Sequence, residues 1–357
     1  MDGPCLLVNL KKLRANIRTL ADLCHNSNIS IAAVTKGVCS EPSIVKIASE
    51  GADFIADSRL THMGSIQVGL PRMCIRITPP SESELLVHNC EISLQSEEIA
   101  IEYIAASAEN QKKRHKIVLM IDLGDLREGI YYDDEKSITS FIEKTLANPW
   151  LELYGVGTNL SCINGVLPDY NNLSILAEIA NNIRRRFGIE LPIVSGGATS
   201  TIPLLLNGKL PKEINNLRIG EAFLLGYDSS NGLQYNWLYQ NAFELRTPLL
   251  EMKTKPSNPI GKMGFNAFGE KVETLNAGSM VRGICEIGRQ DIDINSLRPV
   301  DENIWVIGAS SDHCVLCMDK AACYQIGDSI SFRVGYGSLL RLFTSKTIPY
   351  IFNEENI

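Results

Sequence analysis

Ile31-Ala32-Ala33-Val34-Thr35-Lys36-Gly37 starts as an apolar strand and ends on a cation. A buried strand has no use for an ammonium, so Lys36 marks the point where the chain leaves the core. A lysine there loses solvation, drops its pKa and becomes a nucleophile for carbonyl compounds. The pattern then repeats. Apolar runs at 54–56, 73–77, 92–94, 117–121, 151–156, 191–194 and 217–219 mostly end on polar residues: Asp57 and Arg59, Thr78, Gln95, Asp122 and Asp125, Thr158 and Asn159, and Ser195. Segments of helical period lie between them, at 41–50, 96–110, 133–147 and 169–187. Alternating strands and helices build a parallel sheet whose carboxyl ends share one face. Eight regular units over about two hundred residues predict a (β/α)8 TIM barrel with these polar residues at one mouth, rather than an open doubly wound sheet.

Past residue 230 the pattern changes. Asp228-Ser229-Ser230-Asn231-Gly232 reads as a loop. Short apolar stretches punctuated by Gly and Pro follow, at 279–287, 303–307, 314–318, 329–334 and 338–344. The reading is a barrel over 1–233 followed by a C-terminal all-β domain over 234–357, with the strand-like residues 1–9 available to pair with that tail.

The chain has 357 residues, 45% of them hydrophobic, and a net charge of −7. That supports a large core, and with no basic block it argues against nucleic acid. No apolar run reaches the length of a membrane span, and no signal-peptide pattern opens the chain. The ten cysteines are scattered rather than arranged as a disulfide scaffold, which points to a cytoplasmic protein. Cys314 and Cys317 form a C-x-x-C on a strand, where they point to opposite faces, so no metal is expected there.

At the mouth, Ser195-Gly196-Gly197-Ala198-Thr199-Ser200 follows strand seven and leads into a helix, and Gly220 follows strand eight. Glycines let backbone N–H groups approach an anion, and hydroxyls add donors. Barrels often hold phosphate on these two loops. With Lys36 at the same mouth, the phosphate-bearing ligand of choice is pyridoxal phosphate (PLP), whose aldehyde a lysine can bond.

These residues resemble the fold type III PLP enzymes, the alanine racemase group. The resemblance rests on Ala33-Val34-Thr35-Lys36-Gly37, Gly124-Asp125-Leu126-Arg127-Glu128-Gly129, Gly157-Thr158-Asn159-Leu160, Ser195-Gly196-Gly197 and Leu217-Arg218-Ile219-Gly220-Glu221. Within the group the chain is most similar to the ornithine racemases, through Ile287-Gly288-Arg289-Gln290-Asp291 and Gly308-Ala309-Ser310-Ser311-Asp312-His313. The resemblance implies a PLP-dependent racemase of ornithine or another basic amino acid, working as a homodimer with the active site shared between subunits. It matches Lys36 to the cofactor lysine and one of two catalytic bases, and Arg218 to the arginine at the pyridine nitrogen. Ser195, Gly196, Ser200, Ile219 and Gly220 match the phosphate positions, and Arg127 the arginine near the substrate carboxylate.

One motif departs from the pattern. Alanine racemases carry a Gly-Tyr pair in the tail, and that tyrosine is the opposite-face base from the partner subunit. Here the matching residues are Gly288-Arg289. A guanidinium does not shuttle protons at neutral pH. Nearby tail candidates are His313, Asp312, Asp291, Cys285 and Tyr336, and His313 has the most suitable ordinary pKa. His313 is the expected second base, with Asp312 and Arg289 shaping its surroundings and Asp291 or Asp312 receiving a distal substrate ammonium. Two alternatives share the fold. A metal-assisted D-amino-acid aldolase or dehydratase would hold its ion on a histidine such as His313, but its second ligand position is Val315. A non-enzymatic PLP-homeostasis protein would lack the tail.

Overall fold

The computed structural model describes residues 3–271, 278–319 and 321–353. It divides into two compact units, Lys11–Gln240 and a second made of Met1–Leu10 with Asn241–Ile357. After β1 (Cys5–Asn9) and α1 (Leu10–His25), the larger unit alternates β2 (Ser30–Val34), α2 (Pro42–Ala48), β3 (Phe54–Asp57), α3 (Leu60–Ser65), β4 (Arg72–Cys74), α4 (Ser83–Asn89) and β5 (Ile92–Gln95). It continues through α5 (Glu98–Asn110), β6 (His115–Asp122), the short β7 (Ile130–Tyr131), α6 (Glu135–Leu146), β8 (Leu151–Gly157), α7 (Tyr170–Phe187) and β9 (Ile193–Ser195). The last elements are α8 (Ile202–Leu206), β10 (Asn216–Ile219), α9 (Glu221–Leu225) and a small ribbon of β11 (Tyr227–Asp228) with β12 (Leu233–Gln234).

The parallel strands β2, β3, β4, β5, β6, β8, β9 and β10 pair in sequence, and β10 pairs back with β2. The sheet is therefore closed, which is the eight-stranded barrel that the sequence predicts. Both faces of its strands are buried, as the nearly unbroken apolar runs require. Alternation sends Ala32, Val34, Phe54, Ala56, Met73, Ile92, Leu94, Val118, Met120 and Ile193 into one shared cluster inside the barrel. The helices carry their own stop and start signals. α7 begins in a capping box between Asp169 and Asn172, buries Leu173, Leu176, Ala177, Ala180 and Ile183, and ends on Gly188 at φ 63°.

The second unit is an antiparallel β domain. Its strands are β13 (Phe243–Pro256), β14 (Ser279–Cys285), β15 (Leu297–Pro299), β16 (Ile304–Ala309), β17 (Cys314–Met318), β18 (Ser329–Val334) and β19 (Tyr350–Asn353). They run in the order β15-β18-β13-β14-β17-β16, and β1 pairs with β13 and β19. One expected strand is corrected. Residues 338–344 lie in a helix, α10 (Tyr336–Thr344), which buries Leu339, Leu342 and Phe343 at i, i+3 and i+4. A short apolar run satisfies both periods, and packing decided for the helix. The long β13 has no counterpart among the expected strands, because Pro248 and a register shift between Leu249 and Glu251 interrupt it.

His115 opens β6 fully buried, with Nε2 2.9 Å from the Ser93 hydroxyl. Burial first, then the nearby Lys113, push its pKa down to about 3. An unfolded histidine titrates near 6.5, so acid protonates the unfolded chain first. The stability this site contributes is complete above about pH 6.5 and falls, by about 1.4 kcal/mol per pH unit at most, as pH drops toward 3. Urea unfolding of the native protein and His115→Gln between pH 7 and 4 should show a shallower acid loss in the variant. Parallel curves would remove His115 as the cause.

Candidate functional site

Lys36 follows at the carboxyl end of β2, the strand whose Ala32 and Val34 join the cluster inside the barrel. The chain turns at once through a single 3-10 turn, Lys36–Val38, and then places Cys39 and Ser40 at φ 50° and 48°. Two non-glycine residues in the left-handed region cost roughly 1–2 kcal/mol each. Buried side chains fix them there. Thr35 Oγ1 lies 2.8 Å from Ser40 Oγ, Ser40 N–H donates to Thr35 O at 3.1 Å, and Ser40 Oγ donates to Asp57 Oδ2 at 2.6 Å. Asp57 is wholly buried, accepts the Arg59 N–H at 2.8 Å and meets His62 Nδ1 at 3.3 Å. It therefore both caps the turn into α3 and braces the loop that carries Lys36. The Lys36 ammonium makes no hydrogen bond or ion pair among the described residues. Burial pulls its pKa below 10.5; Cys162, Asp57 and Glu128 act upward and Arg127 downward.

Across the mouth, the loop after β9 is shaped by its glycines. A Cβ on Gly196 would stand 2.5 Å from Ile214 Cγ2, and Gly197 lies at φ 108°. The Gly197 and Ala198 N–H groups have no acceptor among the described residues, and neither has the Ser200 hydroxyl a partner. Thr201 Oγ1 pins the loop to Gly196 O at 2.8 Å, and Thr199 Oγ1 accepts the Ala222 N–H at 3.2 Å. The expected helix is a 3-10 turn, Thr199–Thr201, leading into the five-residue α8, so backbone donors rather than a long helix dipole give this loop its affinity for an anion. Ile219 and Gly220 close the next strand end; a Cβ on Gly220 would lie 3.1 Å from Val34 Cβ, so β10 and β2 need the glycine to approach.

Ser195, expected at a phosphate, uses its hydroxyl elsewhere. It donates to Asn216 Oδ1 at 2.6 Å and accepts from Arg218 Nη1. Arg218 is buried, and its Nη2 donates to Thr158 O at 2.7 Å and to Asn159 Oδ1. Burial lowers its pKa to about 10, so it stays charged at neutral pH. A Cβ on Gly157 would stand 3.2 Å from Ser195 Cβ, so the end of β8 packs closely on β9 at this point. The Thr158 hydroxyl beside it is buried without a partner among the described residues.

Arg127 is largely exposed and pairs with Glu128 at 2.6 Å. Asp125, to which the strand-end pattern assigns no role, organises the loop after β8. Its carboxylate accepts the N–H groups of Cys162 at 3.1 Å, Ile163 at 3.2 Å and Val166 at 3.2 Å. An aspartate beside glycine in a strand-end loop is the only sequence signal for this, and its partners lie too far along the chain for any local pattern.

In the second unit, the two tail motifs meet. A Cβ on Gly288 would fall 1.9 Å from Ser311 O, and Arg289 N–H donates to Ser310 O at 2.9 Å. Gln290 Nε2 donates to Asp312 Oδ1 at 3.0 Å, and Ser311 Oγ to Asp312 Oδ2 at 2.6 Å. His313 is exposed; Ser310 Oγ accepts its N–H at 3.1 Å, while its ring has no partner among the described residues. Arg289 is engaged by Glu270 at 2.8 and 2.7 Å and lies 4.3 Å over the Phe268 ring. Asp291, expected at a substrate ammonium, is buried and accepts from Gly288 N–H at 3.4 Å, Ser345 Oγ at 3.1 Å and Thr347 Oγ1 at 2.9 Å. Its contacts make it the clamp of this turn. Cys285 is wholly buried, and burial raises its thiol pKa well above the usual value.

The family described as "Alanine racemase, N-terminal domain" matches residues 8–228. The chain is 39% identical over 348 residues to the ornithine racemase of Acetoanaerobium sticklandii, covering 97% of this chain and 98% of that one. It is 35% identical over 353 residues to the lysine racemase of Thermotoga maritima, covering 98% of both. Among solved structures, the alanine racemase from Streptomyces coelicolor A3(2) has a TM-score of 0.77 at 15% identity, covering 99% of this chain and 98% of that chain. A D-threonine aldolase from Filomicrobium marinum has a TM-score of 0.72 at 14% identity, covering 95% of this chain and 88% of that chain. Likeness to these structures is likeness of fold.

The lowered pKa of Lys36 has a direct consequence in the protein without added ligand. Reductive methylation followed across pH and mapped by mass spectrometry should give Lys36 a labelling midpoint below that of the exposed lysines, because more of it is free amine at a given pH. A midpoint equal to theirs would refute the burial argument.

Proposed function

The chain belongs to the alanine racemase N-terminal domain family and is an amino-acid racemase, and from that premise we propose that it interconverts the enantiomers of ornithine or another basic amino acid with PLP held on Lys36. The family implies PLP dependence. The observation that supports the residue assignment is an unpaired lysine of lowered pKa at the carboxyl end of a barrel strand, in a barrel whose loop after β9 presents free N–H donors. Bound PLP supplies the electron withdrawal that makes the substrate α-proton removable.

The remaining roles follow from the side chains. Lys36 would hold the cofactor through its aldehyde, and once the substrate amine has displaced it, the freed Nζ would take or return a proton on one face of the substrate. The N–H groups of Gly197 and Ala198, with the Ser200 hydroxyl, would hold the phosphate beside Gly196, Ile219 and Gly220. Ser195 serves the cofactor indirectly, by fixing Arg218. A guanidinium is a donor only, so Arg218 would leave the ring nitrogen unprotonated, which favours simple proton exchange over deeper carbanion chemistry. Arg127 would receive the substrate carboxylate as a charge-assisted pair.

For the opposite face we propose His313 of the partner subunit in a homodimer. The exposed ring of His313 on a backbone-fixed turn supports this reading. Asp312 keeps acceptor capacity beyond its two hydrogen bonds, which suits the distal ammonium of a basic substrate. Arg289, held by Glu270, would shape the rim of that pocket.

Two measurements test this. With PLP, the protein should form the D-enantiomer from L-ornithine or L-lysine on a chiral column, and Lys36→Ala should lose several orders of magnitude of rate, since a covalent link and a base vanish together. PLP binding with no racemisation of either amino acid would defeat the substrate assignment. In deuterated water, His313→Asn should keep α-proton exchange from one enantiomer while racemisation falls steeply. Near-parent interconversion of both enantiomers would exclude His313 as the second base.

A further inference from the structure

We propose that Glu128 is a positioning residue that holds Arg218 oriented and charge-compensated through the side-chain amide of Asn159. The need comes from burial. Arg218 is 3% exposed, and the acceptors it reaches, Ser195 Oγ, Thr158 O and Asn159 Oδ1, are all neutral. Burying a guanidinium on neutral acceptors alone is costly. One of those acceptors leads on to a carboxylate, because Asn159 Nδ2 donates to Glu128 Oε1. The amide has a single allowed orientation. A guanidinium only donates and a carboxylate only accepts, so Asn159 must turn its oxygen to Arg218 and its nitrogen to Glu128. Hydrogen bonds in series polarise one another, so the negative charge is felt at Arg218 one residue removed.

The same carboxylate pairs with Arg127, Nη2 to Oε1 and Nε to Oε2, both at 2.6 Å. Glu128 thus lies between a buried guanidinium at the barrel mouth and an exposed one on the loop after β6. Its charge acts in the same direction on both cations of the mouth, raising the pKa of Arg218 and of Lys36. The inference rests on the proposed function only for what Arg218 and Lys36 are used for. The relay itself belongs to the protein chain.

The test is a double-mutant cycle on the full-length protein. Glu128→Gln keeps the shape and an oxygen for Asn159 but removes the charge. Asn159→Ala keeps the charge and removes the relay. Each should weaken PLP binding about tenfold, the scale of one hydrogen bond to a charged group, and the double variant no more than the weaker single. Alongside, Glu128→Gln should move the Lys36 methylation midpoint in PLP-free protein to lower pH, which a merely structural glutamate would leave in place. A double variant about a hundredfold weaker, the product of two independent sites, overturns the relay. So does PLP binding that stays at the parent level in either single variant, while a Lys36 midpoint that stays where it is in Glu128→Gln overturns the charge-compensating role of Glu128. If the parent protein takes up no PLP, the proposed function fails, while the methylation midpoint still decides the role of Glu128.

Discussion

A guanidinium that does not reach water organises the barrel mouth. Arg218 is carried inward by the alternation of β10, and its desolvation must be offset by acceptors from neighbouring strands. β9 supplies the Ser195 hydroxyl, itself fixed by Asn216, and the end of β8 supplies Thr158 O and Asn159 Oδ1. Three consecutive strands of the sheet are thus committed to one side chain.

Lys36 is the counterpart, built the opposite way. Its surroundings brace the backbone and leave the ammonium alone. Thr35, Ser40 and Asp57 form a buried polar chain under the turn, and two left-handed residues are tolerated because that chain over-determines them. A cation held by three acceptors keeps its proton; one left without a partner in a buried setting loses it more easily. The barrel mouth therefore contains two basic groups with separated roles, a permanent cation and an amine that titrates. Their environments set the difference, not their residue types alone.

Much of this was legible in the residues. The eight barrel strands show as apolar runs with polar ends, and closure follows from their number and regularity. Lys36, Arg218 and the Ser-Gly-Gly loop stand at strand ends where chemistry collects. What was hidden depended on distance along the chain or on ambiguous period. Asp125 grips residues in the loop after β8, beyond any local pattern. The Ser195 hydroxyl looked like an anion donor because its competitors, Asn216 and Arg218, come from another strand. Residues 338–344 fit a strand as well as a helix by period, and the packing of Leu339, Leu342 and Phe343 selects the helix. β13 has no single apolar run to announce it, because Pro248 and the register shift after Leu249 interrupt its pattern.

The tail unit shows how a changed residue can leave its motif intact. Gly288 is required because Ser311 O occupies the place of any Cβ, so the turns at 287–291 and 310–313 form one object. Asp291 clamps that object from beneath, and Arg289 leaves it sideways to Glu270 and Phe268. Of the polar side chains the turns present, the His313 ring alone has no hydrogen-bond partner among the described residues. A fixed backbone with one free ring is the arrangement a proton-transfer group needs, since geometry is supplied by the turn and the proton is left to the imidazole. Arg289 and His313 therefore stand on two turns of one crossing, the guanidinium tied to Glu270 and the imidazole left without a partner among the described residues.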